Sequence, residues 1–141
     1  MSQSWKTHHY TFTVRKEHID SYGHVNNATY LQLFEEARWA MIEANGYGFK
    51  KIHELKIGPI ILEIHIKFIK EILLGQIIQV ESQMTSYSGK VGEMLQQMKS
   101  EKGVVLCSAT MKFGLFDLQK RKLIEPTSKW LEGIGELNSP A

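Results

Sequence analysis

The sequence predicts an α+β fold, in which one long helix packs on a strongly curved antiparallel sheet of about five strands. Three observations indicate this class: one apolar stripe at helical spacing, several runs in which apolar and polar residues alternate, and short glycine-containing turns between those runs. A sheet with one apolar face must bury that face, so the helix is expected to lie across it. The 141 residues match the size of one domain, which we expect to span residues 1–141.

The N-terminal part of the chain is predicted to form one strand and one loop. Residues 10–14 indicate a half-buried strand, because one face carries the apolar side chains of Tyr10, Phe12 and Val14. Residues 18–27 are polar and contain a glycine, which favours a loop.

The long helix follows this loop directly. Either Asn26 or Asn27 can cap its start, because a short side-chain oxygen accepts an unpaired backbone N–H. Its stripe consists of apolar residues three and four positions apart, namely Tyr30, Leu33, Phe34, Ala37, Met41 and Ala44. Asn45-Gly46 ends the helix, because glycine adopts the left-handed conformation that follows a helix. A loop is expected from there to Pro59.

Strand patterns dominate the rest of the chain. Alternating runs predict strands at residues 62–68, 78–84, 91–99, 104–116 and 123–124. Gly75 and the turns at residues 88–90, 101–103 and 117–122 separate these strands. Pro126 and Thr127 then open a short final helix that contains Trp130 and Leu131.

Composition and charge exclude several classes of function. The hydrophobic content of 43% supports a packed core, and a net charge of +2 is too small for generic nucleic-acid binding. No stretch reaches the roughly 20 apolar residues of a membrane span, and the N-terminus lacks the apolar run of a signal peptide. Cys107 is the only cysteine, so an intrachain disulfide is excluded and a reducing, cytoplasmic location is expected. No His, Cys and carboxylate residues have the spacing of metal ligands, and we expect neither a metal nor a cofactor.

One acid stands beside the predicted start of the helix. Asp20 precedes Gly23 by three residues, and Asn26 and Asn27 follow before the helical stripe. The first turn of a helix has backbone N–H groups without partners inside the helix, and it carries the positive end of the helix dipole. An acid next to such donors can attack a carbonyl, or activate water to attack it, while the donors hold the carbonyl oxygen.

The stretch from Asp20 to Arg38 reads DSYGHVNNATYLQLFEEAR. It resembles the signature of hotdog-fold acyl-CoA thioesterases of the 4-hydroxybenzoyl-CoA thioesterase family, and within that family it is most similar to the bacterial long-chain acyl-CoA thioesterases. The resemblance implies the hotdog fold, a curved antiparallel sheet wrapped around one long central helix. It also implies hydrolysis of medium- to long-chain acyl-CoA to free fatty acid and CoA without a cofactor.

The resemblance gives roles to several residues of this stretch. Asp20 matches the catalytic carboxylate, which acts either as a nucleophile on the thioester carbonyl or as a general base on water. The backbone N–H of Asn27 matches the oxyanion donor, and Gly23 allows a tight turn towards the helix. His18 stands where many relatives have a second aspartate. Three roles are open for it: it pairs with Asp20, it helps to place water, or it is only a surface residue of the loop. His24 is expected to hold the loop.

Four residues are candidates for contact with the substrate, namely Gly23 of this turn and three residues further along the chain. Tyr30 and Glu35 lie on the predicted helix, where Glu35 matches the family's helix acid and could line the wall of the site. The i,i+3 spacing of Glu35 and Arg38 also permits an ion pair. Lys90 follows the Ser88-Gly89 turn, and it aligns with a basic position near the CoA phosphates in the resembling enzymes.

The sequence leaves two alternative functions open, and it also predicts that the protein assembles with copies of itself. The alternatives are a non-catalytic acyl-CoA-binding hotdog protein and a hotdog dehydratase or hydratase. Asp20 argues against a mere binder, and the usual histidine-centred site of the dehydratases is not recognisable in the sequence. One helix covers only one face of such a sheet and edge strands invite pairing, so we expect a homodimer or homotetramer. Neither nucleic acid nor membrane insertion is expected.

Overall fold

The computed structural model describes residues 3–137, and these form six strands and three α-helices. In chain order the elements are β1 (Thr7–Thr13), α1 (Asn27–Ala44), α2 (Phe49–Leu55), β2 (Ile57–Phe68), β3 (Ile77–Ser88), β4 (Val91–Ser100), β5 (Val105–Asp117), β6 (Lys122–Ile124) and α3 (Ser128–Gly133). A 3-10 turn at Lys16–His18 lies between β1 and the loop before α1. Over the described range, none of the helices has the length and apolar character needed to cross a bilayer.

The strands form one antiparallel sheet. The five longer strands follow the order β1-β3-β4-β5-β2, and β6 pairs with the end of β5. The strands β1 and β2 are therefore the two edges of the sheet. The prediction of an α+β fold with an antiparallel sheet of about five strands is confirmed, and the short pattern at residues 123–124 forms the additional strand β6.

The helix α1 begins and ends where capping chemistry predicts. The side chain of Asn26 accepts a hydrogen bond from the Ala28 amide at 2.9 Å, so Asn26 rather than Asn27 is the N-cap. Gly46 follows the helix with φ of +88°, a left-handed conformation that glycine adopts without a Cβ penalty. One face of α1 is buried, and it comprises Tyr30, Leu33, Phe34, Ala37 and Met41. The larger side chains Leu33, Phe34 and Met41 each stabilise the fold by roughly 1.5–3 kcal/mol through removal of apolar surface from water.

Four elements differ from the sequence prediction, and one of them is β3, which continues to Ser88 rather than ending at residue 84. β1 begins at Thr7 rather than at residue 10, because its polar first residues pair with β3 at the edge of the sheet. The expected loop before Pro59 contains α2, whose seven residues are too few for a helical period to stand out. β2 begins at Ile57 and includes Pro59, which lacks a backbone donor. An edge strand tolerates this proline because it needs ladder hydrogen bonds on one side only.

The edge strand β2 carries a row of apolar residues beside α1. A bulge between Ile61 and Glu63 keeps this row on one face. The inner row of β2 consists of Pro59, Ile61, Ile64, Ile66 and Phe68, which pair with the buried residues Leu115, Phe113, Met111, Ala109 and Cys107 of β5. Ile61, Ile64 and Phe68 nevertheless keep 38%, 37% and 52% of their surface exposed. An open edge with an apolar face is a surface on which a second chain can pair.

Candidate active site

The loop before α1 is a small hairpin that carries Asp20 at its turn. Ile19 and Val25 form an antiparallel bridge, and the Gly23 amide donates to the Asp20 carbonyl at 3.0 Å. Gly23 has φ of +84°, which explains why the turn requires glycine. The Asp20 carboxylate accepts a hydrogen bond from the Tyr22 amide through Oδ1 at 2.9 Å. The turn thus fixes one carboxylate oxygen and leaves Oδ2 as the oxygen that can act on a substrate or on water.

The first turn of α1 has one backbone donor without an acceptor. The Ala28 amide donates to the side chain of Asn26, and the amides of Thr29 and Tyr30 donate to the Asn26 carbonyl at 3.0 and 3.3 Å. The Asn27 amide donates to no group among residues 3–137. It therefore stands free at the positive end of the helix dipole, where it can hold a negatively charged oxygen.

A cavity of about 210 Å³ opens at this end of α1. It is lined by His24, Val25, Asn27, Tyr30, Phe68, Ile69, Lys70 and Glu71. The ring of Tyr30 packs edge-on against Phe68 with ring centroids 5.0 Å apart. Burial is the main cause that raises the pKa of Tyr30, and the nearby Cys107 raises it further. Within residues 3–137 the lining does not include Asp20, whose side chain stays in its own turn.

The two histidines of the loop support its shape. His18 is buried and its Nδ1 accepts a hydrogen bond from the Arg15 amide at 3.0 Å, so it is neither a surface residue nor a partner of Asp20. Its ring packs edge-on against Phe12, with ring centroids 6.0 Å apart. The Nδ1 of His24 donates to the Val25 carbonyl at 3.0 Å, which fits the expected role of holding the loop.

The middle of α1 lines a second cavity, with a volume of about 110 Å³. Glu35 and Arg38 form its polar side, and its apolar lining comprises Trp39, Met41, Ile42, Pro59, Ile61, Met94, Phe113, Trp130 and Ile134. Glu35 and Arg38 do not form the ion pair that their spacing permits. Arg38 instead donates from Nη1 to Oε1 of Gln96 at 2.9 Å, because its side chain reaches across to β4. Sequence reasoning missed Gln96, although a glutamine among the inward-facing methionines of β4 is a usable signal.

Lys90 lies far from Asp20 within one chain. The backbone carbonyl of Lys90 lies against Gly114 of β5. The two are so close that a side chain at position 114 would place its Cβ only 2.6 Å from the Lys90 carbonyl oxygen. Asn27 and Tyr30 instead lie beside Phe68, which pairs with Cys107 of β5. Gly114 follows Cys107 by seven positions, which is roughly 23 Å along a strand. One chain therefore brings Asn27 and Tyr30 together near the Asp20 turn, and it places Lys90 at the other end of the sheet.

Cys107 does not supply a reactive thiol. It is buried on β5, and this burial raises its pKa to about 12, so the thiol remains protonated at neutral pH. Residues 3–137 also contain no cluster of three or more His, Cys, Asp or Glu side chains arranged to hold a metal ion. The chemistry available at the start of α1 is thus that of a carboxylate, a free backbone amide and an apolar cavity.

Comparisons with known proteins identify the family of the chain. Residues 14–134 match the family model of the thioesterase-like superfamily. Over 112 residues the chain is 34% identical to the long-chain acyl-CoA thioesterase FadM of Escherichia coli strain K12, an alignment that covers 79% of this chain and 84% of FadM.

Solved structures share the same fold. The probable thioesterase YbaW from Escherichia coli superposes with a TM-score of 0.79 at 30% identity, covering 89% of this chain and 95% of YbaW. The protein SAV2348 from Staphylococcus aureus, solved in complex with CoA, superposes with a TM-score of 0.85 at 19% identity, covering 95% of this chain and 85% of SAV2348. The hotdog fold implied by the Asp20–Arg38 stretch is therefore confirmed.

Proposed function

Because the chain belongs to the thioesterase-like superfamily and is a thioester hydrolase, we propose that it cleaves medium- to long-chain acyl-CoA to free fatty acid and CoA. In this proposal the protein acts as a single domain in the cytoplasm and uses no cofactor. Asp20 is the nucleophile or the general base, and the Asn27 amide is the oxyanion donor. The similarity to FadM and the apolar inner row of β2 support an acyl chain as the substrate group.

The free amide of Asn27 is the observation that carries this proposal. Attack on a thioester places negative charge on the carbonyl oxygen, and a donor at a helix start is fixed in place before that charge develops. Asp20 delivers the attack either directly, forming an acyl-enzyme anhydride, or by taking a proton from water. The CoA thiolate leaves in both routes, and water supplies the oxygen that ends in the fatty acid.

We further propose that the active unit is at least a homodimer formed along β2, with a dimer of dimers as the full assembly. Two copies of β2 that pair in antiparallel orientation place Ile57 of one chain near Phe68 of the other. Such pairing brings Lys90 of one chain to the end of the partner's sheet that carries Asp20. The distance between Lys90 and Asp20 within one chain supports this proposal, because a shared site for one acyl-CoA then needs both chains.

We expect kcat/KM to rise with acyl-chain length from acetyl-CoA to medium and long chains. Each methylene buried on the apolar row adds about 0.8 kcal/mol of binding. CoA release from acetyl-, aryl- and long-chain acyl-CoA, followed with a thiol reagent, measures this series. If the highest kcat/KM were found with a short polar or an aromatic acyl group, the proposed preference for long chains would be wrong. The hydrolysis of thioesters would still stand. Absence of CoA release from every thioester would instead favour a binding protein or a hydratase.

Lys90→Ala should raise KM for acyl-CoA and leave kcat nearly unchanged. The Lys90 side chain is exposed, so a contact with CoA phosphates contributes equally to the ground state and the transition state and is screened by salt. The defect should shrink with an acyl-pantetheine thioester, which lacks the nucleotide. Lys6→Ala is the matched control, because Lys6 lies at the β1 side of the sheet, away from β2. An equal defect with both substrates would show that Lys90 does not act on the phosphates.

A further inference from the structure

A polar network lies inside the otherwise apolar contact between α1 and the sheet. Gln96 is completely buried, and its Nε2 donates to the Phe34 carbonyl at 3.0 Å and to Oγ of Ser82 at 2.9 Å. Its Oε1 accepts the Nη1 donor of Arg38 at 2.9 Å. Both groups of the Gln96 amide are therefore satisfied, and the amide fixes the position of the Arg38 guanidinium.

The Arg38 guanidinium retains unused hydrogen-bonding capacity. An arginine side chain has five N–H donors, and among residues 3–137 only one side-chain hydrogen bond of Arg38 is formed. No carboxylate of the described chain lies within ion-pairing distance of it. Burial lowers the pKa of Arg38, and the neighbouring negative charge of Glu35 raises it in part. A desolvated cation that faces a cavity stabilises an oxygen acceptor placed there and disfavours a methylene group.

Two separate cavities, one at the Asn27 amide and one at Arg38, lie along the same side of α1, and the exposed side chains of Leu31 and Ile64 lie in the open strip between them, which we call the groove. One stripe of α1 comprises residues three or four positions apart, namely Asn27, Leu31, Glu35, Arg38 and Ile42. This stripe faces β2 at both ends, because Asn27 and Phe68 line the cavity at the helix start and Arg38 and Ile61 line the cavity beside the middle of the helix. The inner row of β2 forms the opposite wall. An acyl chain held at Asn27 by its thioester can therefore extend along this groove towards Arg38.

The length of the groove sets the position at which Arg38 meets the chain. Asn27 and Arg38 are eleven residues apart, which is roughly 16 Å along a helix axis. The side chain leans back towards the helix start, so its guanidinium lies somewhat closer. An extended chain advances about 1.3 Å for each C–C bond of standard length, which gives about 9–12 carbons between the thioester and Arg38.

We propose that Arg38 is a specificity-determining residue, and that the preferred substrates are acyl-CoA thioesters whose chain carries an oxygen about 9–12 carbons from the thioester. A hydroxyl, oxo or carboxyl oxygen at this position accepts hydrogen bonds from the guanidinium that Gln96 and Ser82 hold in place. This inference rests on the proposed thioesterase function and narrows its substrate class.

The first test compares matched substrates on the unaltered protein. We expect kcat/KM for ω-hydroxydodecanoyl-CoA to exceed that for dodecanoyl-CoA by at least about 10-fold, the usual scale of a hydrogen bond to a charged group. The pair ω-hydroxyhexanoyl-CoA and hexanoyl-CoA should show no such preference, because the shorter chain ends before Arg38. Equal kcat/KM for the two dodecanoyl substrates would overturn the proposal. Loss of CoA release from all four would count against the thioesterase function instead.

The second test changes the arginine. Arg38→Met should lower the ratio of kcat/KM between hydroxylated and plain dodecanoyl-CoA by at least about 10-fold, and Arg38→Lys should retain part of the preference because it keeps the charge. Arg15→Met is the control, since Arg15 is exposed and pairs with Glu17 on the surface. If Arg38 serves only to hold α1 on the sheet, both substrates lose activity equally and the ratio stays unchanged, which would refute the proposal.

Discussion

Asp20→Asn is expected to lower kcat for acyl-CoA hydrolysis at least about 100-fold, the usual scale of a general acid–base or nucleophilic contribution. Asparagine keeps the size of the side chain, and its carbonyl oxygen can still accept the hydrogen bond from the Tyr22 amide that shapes the turn. The substitution therefore removes the basic oxygen while preserving the hairpin. CoA release under saturating substrate measures the effect, and circular dichroism checks that the protein remains folded.

Asp117→Asn provides a control with the same local chemistry. Asp117 also accepts backbone hydrogen bonds in a turn, from the amides of Gln119 and Lys120 at 2.9 Å each, so the two variants lose the same kind of turn carboxylate. In the proposed dimer Asp117 lies on the same end of the sheet as Lys90, on the CoA side of the partner's site, where its loss affects KM rather than kcat. We expect its kcat to stay within a few-fold of the unaltered protein. Near-normal turnover by folded Asp20→Asn would rule out Asp20 as the catalytic carboxylate.

Ile64→Asp is expected to convert the assembly to monomers and to lower kcat/KM by about 100-fold. A decrease of this size is what a shift of the substrate by about 1 Å can cause. Ile64 lies in the middle of the inner row of β2, where a pairing chain would bury it and an unpaired carboxylate would be strongly unfavourable. Loss of the partner also removes Lys90 from the shared site, and the new carboxylate enters the apolar wall of the groove, so the mass in solution rather than the activity decides whether β2 forms the dimer. Light scattering measures the mass in solution, and the CoA-release assay measures the activity of the same sample.

The neighbouring residue offers the matched control for this experiment. His65 follows Ile64 on β2 and faces the opposite side of the sheet, where it is exposed. His65→Asp should keep at least the dimer and its activity, although it can separate a dimer of dimers if the sheets stack on that face. A monomeric unaltered protein with full activity would contradict the proposed two-chain site.

The sequence predicted those parts of the fold that have a long, regular period. The elements α1, β3, β4 and β5 each extend over ten or more residues, and each carries its period along most of its length, so tertiary packing reinforces the local pattern. The helix α2 and the first residues of β1 have no such repeat, because α2 is short and β1 begins with polar residues at an edge. Pro59 argued for a loop, and only the position of β2 at the sheet edge explains why it lies in a strand.

In the candidate site, too, the sequence indicated local features and missed contacts between residues that are distant along the chain. Asp20, Gly23, Asn26 and Asn27 lie within eight positions of one another, so their spacing alone indicated a turn followed by a capped helix start. The network at Arg38 joins residues that are 58 positions apart, and no local pattern indicates such a contact. Lys90 is assigned to the CoA phosphates by resemblance alone, since no spacing along the chain relates it to Asp20 and one chain places the two residues at opposite ends of the sheet.

The buried position of Cys107 makes this protein convenient for labelling. A protonated thiol sealed in the core does not react with thiol-specific reagents, so colour from such a reagent in the activity assay reports released CoA alone. Since Cys107 is the only cysteine, a cysteine introduced by Lys90→Cys becomes the one site that takes a spin label. The distance between two such labels, measured by pulsed electron paramagnetic resonance, then tests whether two copies of β2 pair in the proposed antiparallel alignment.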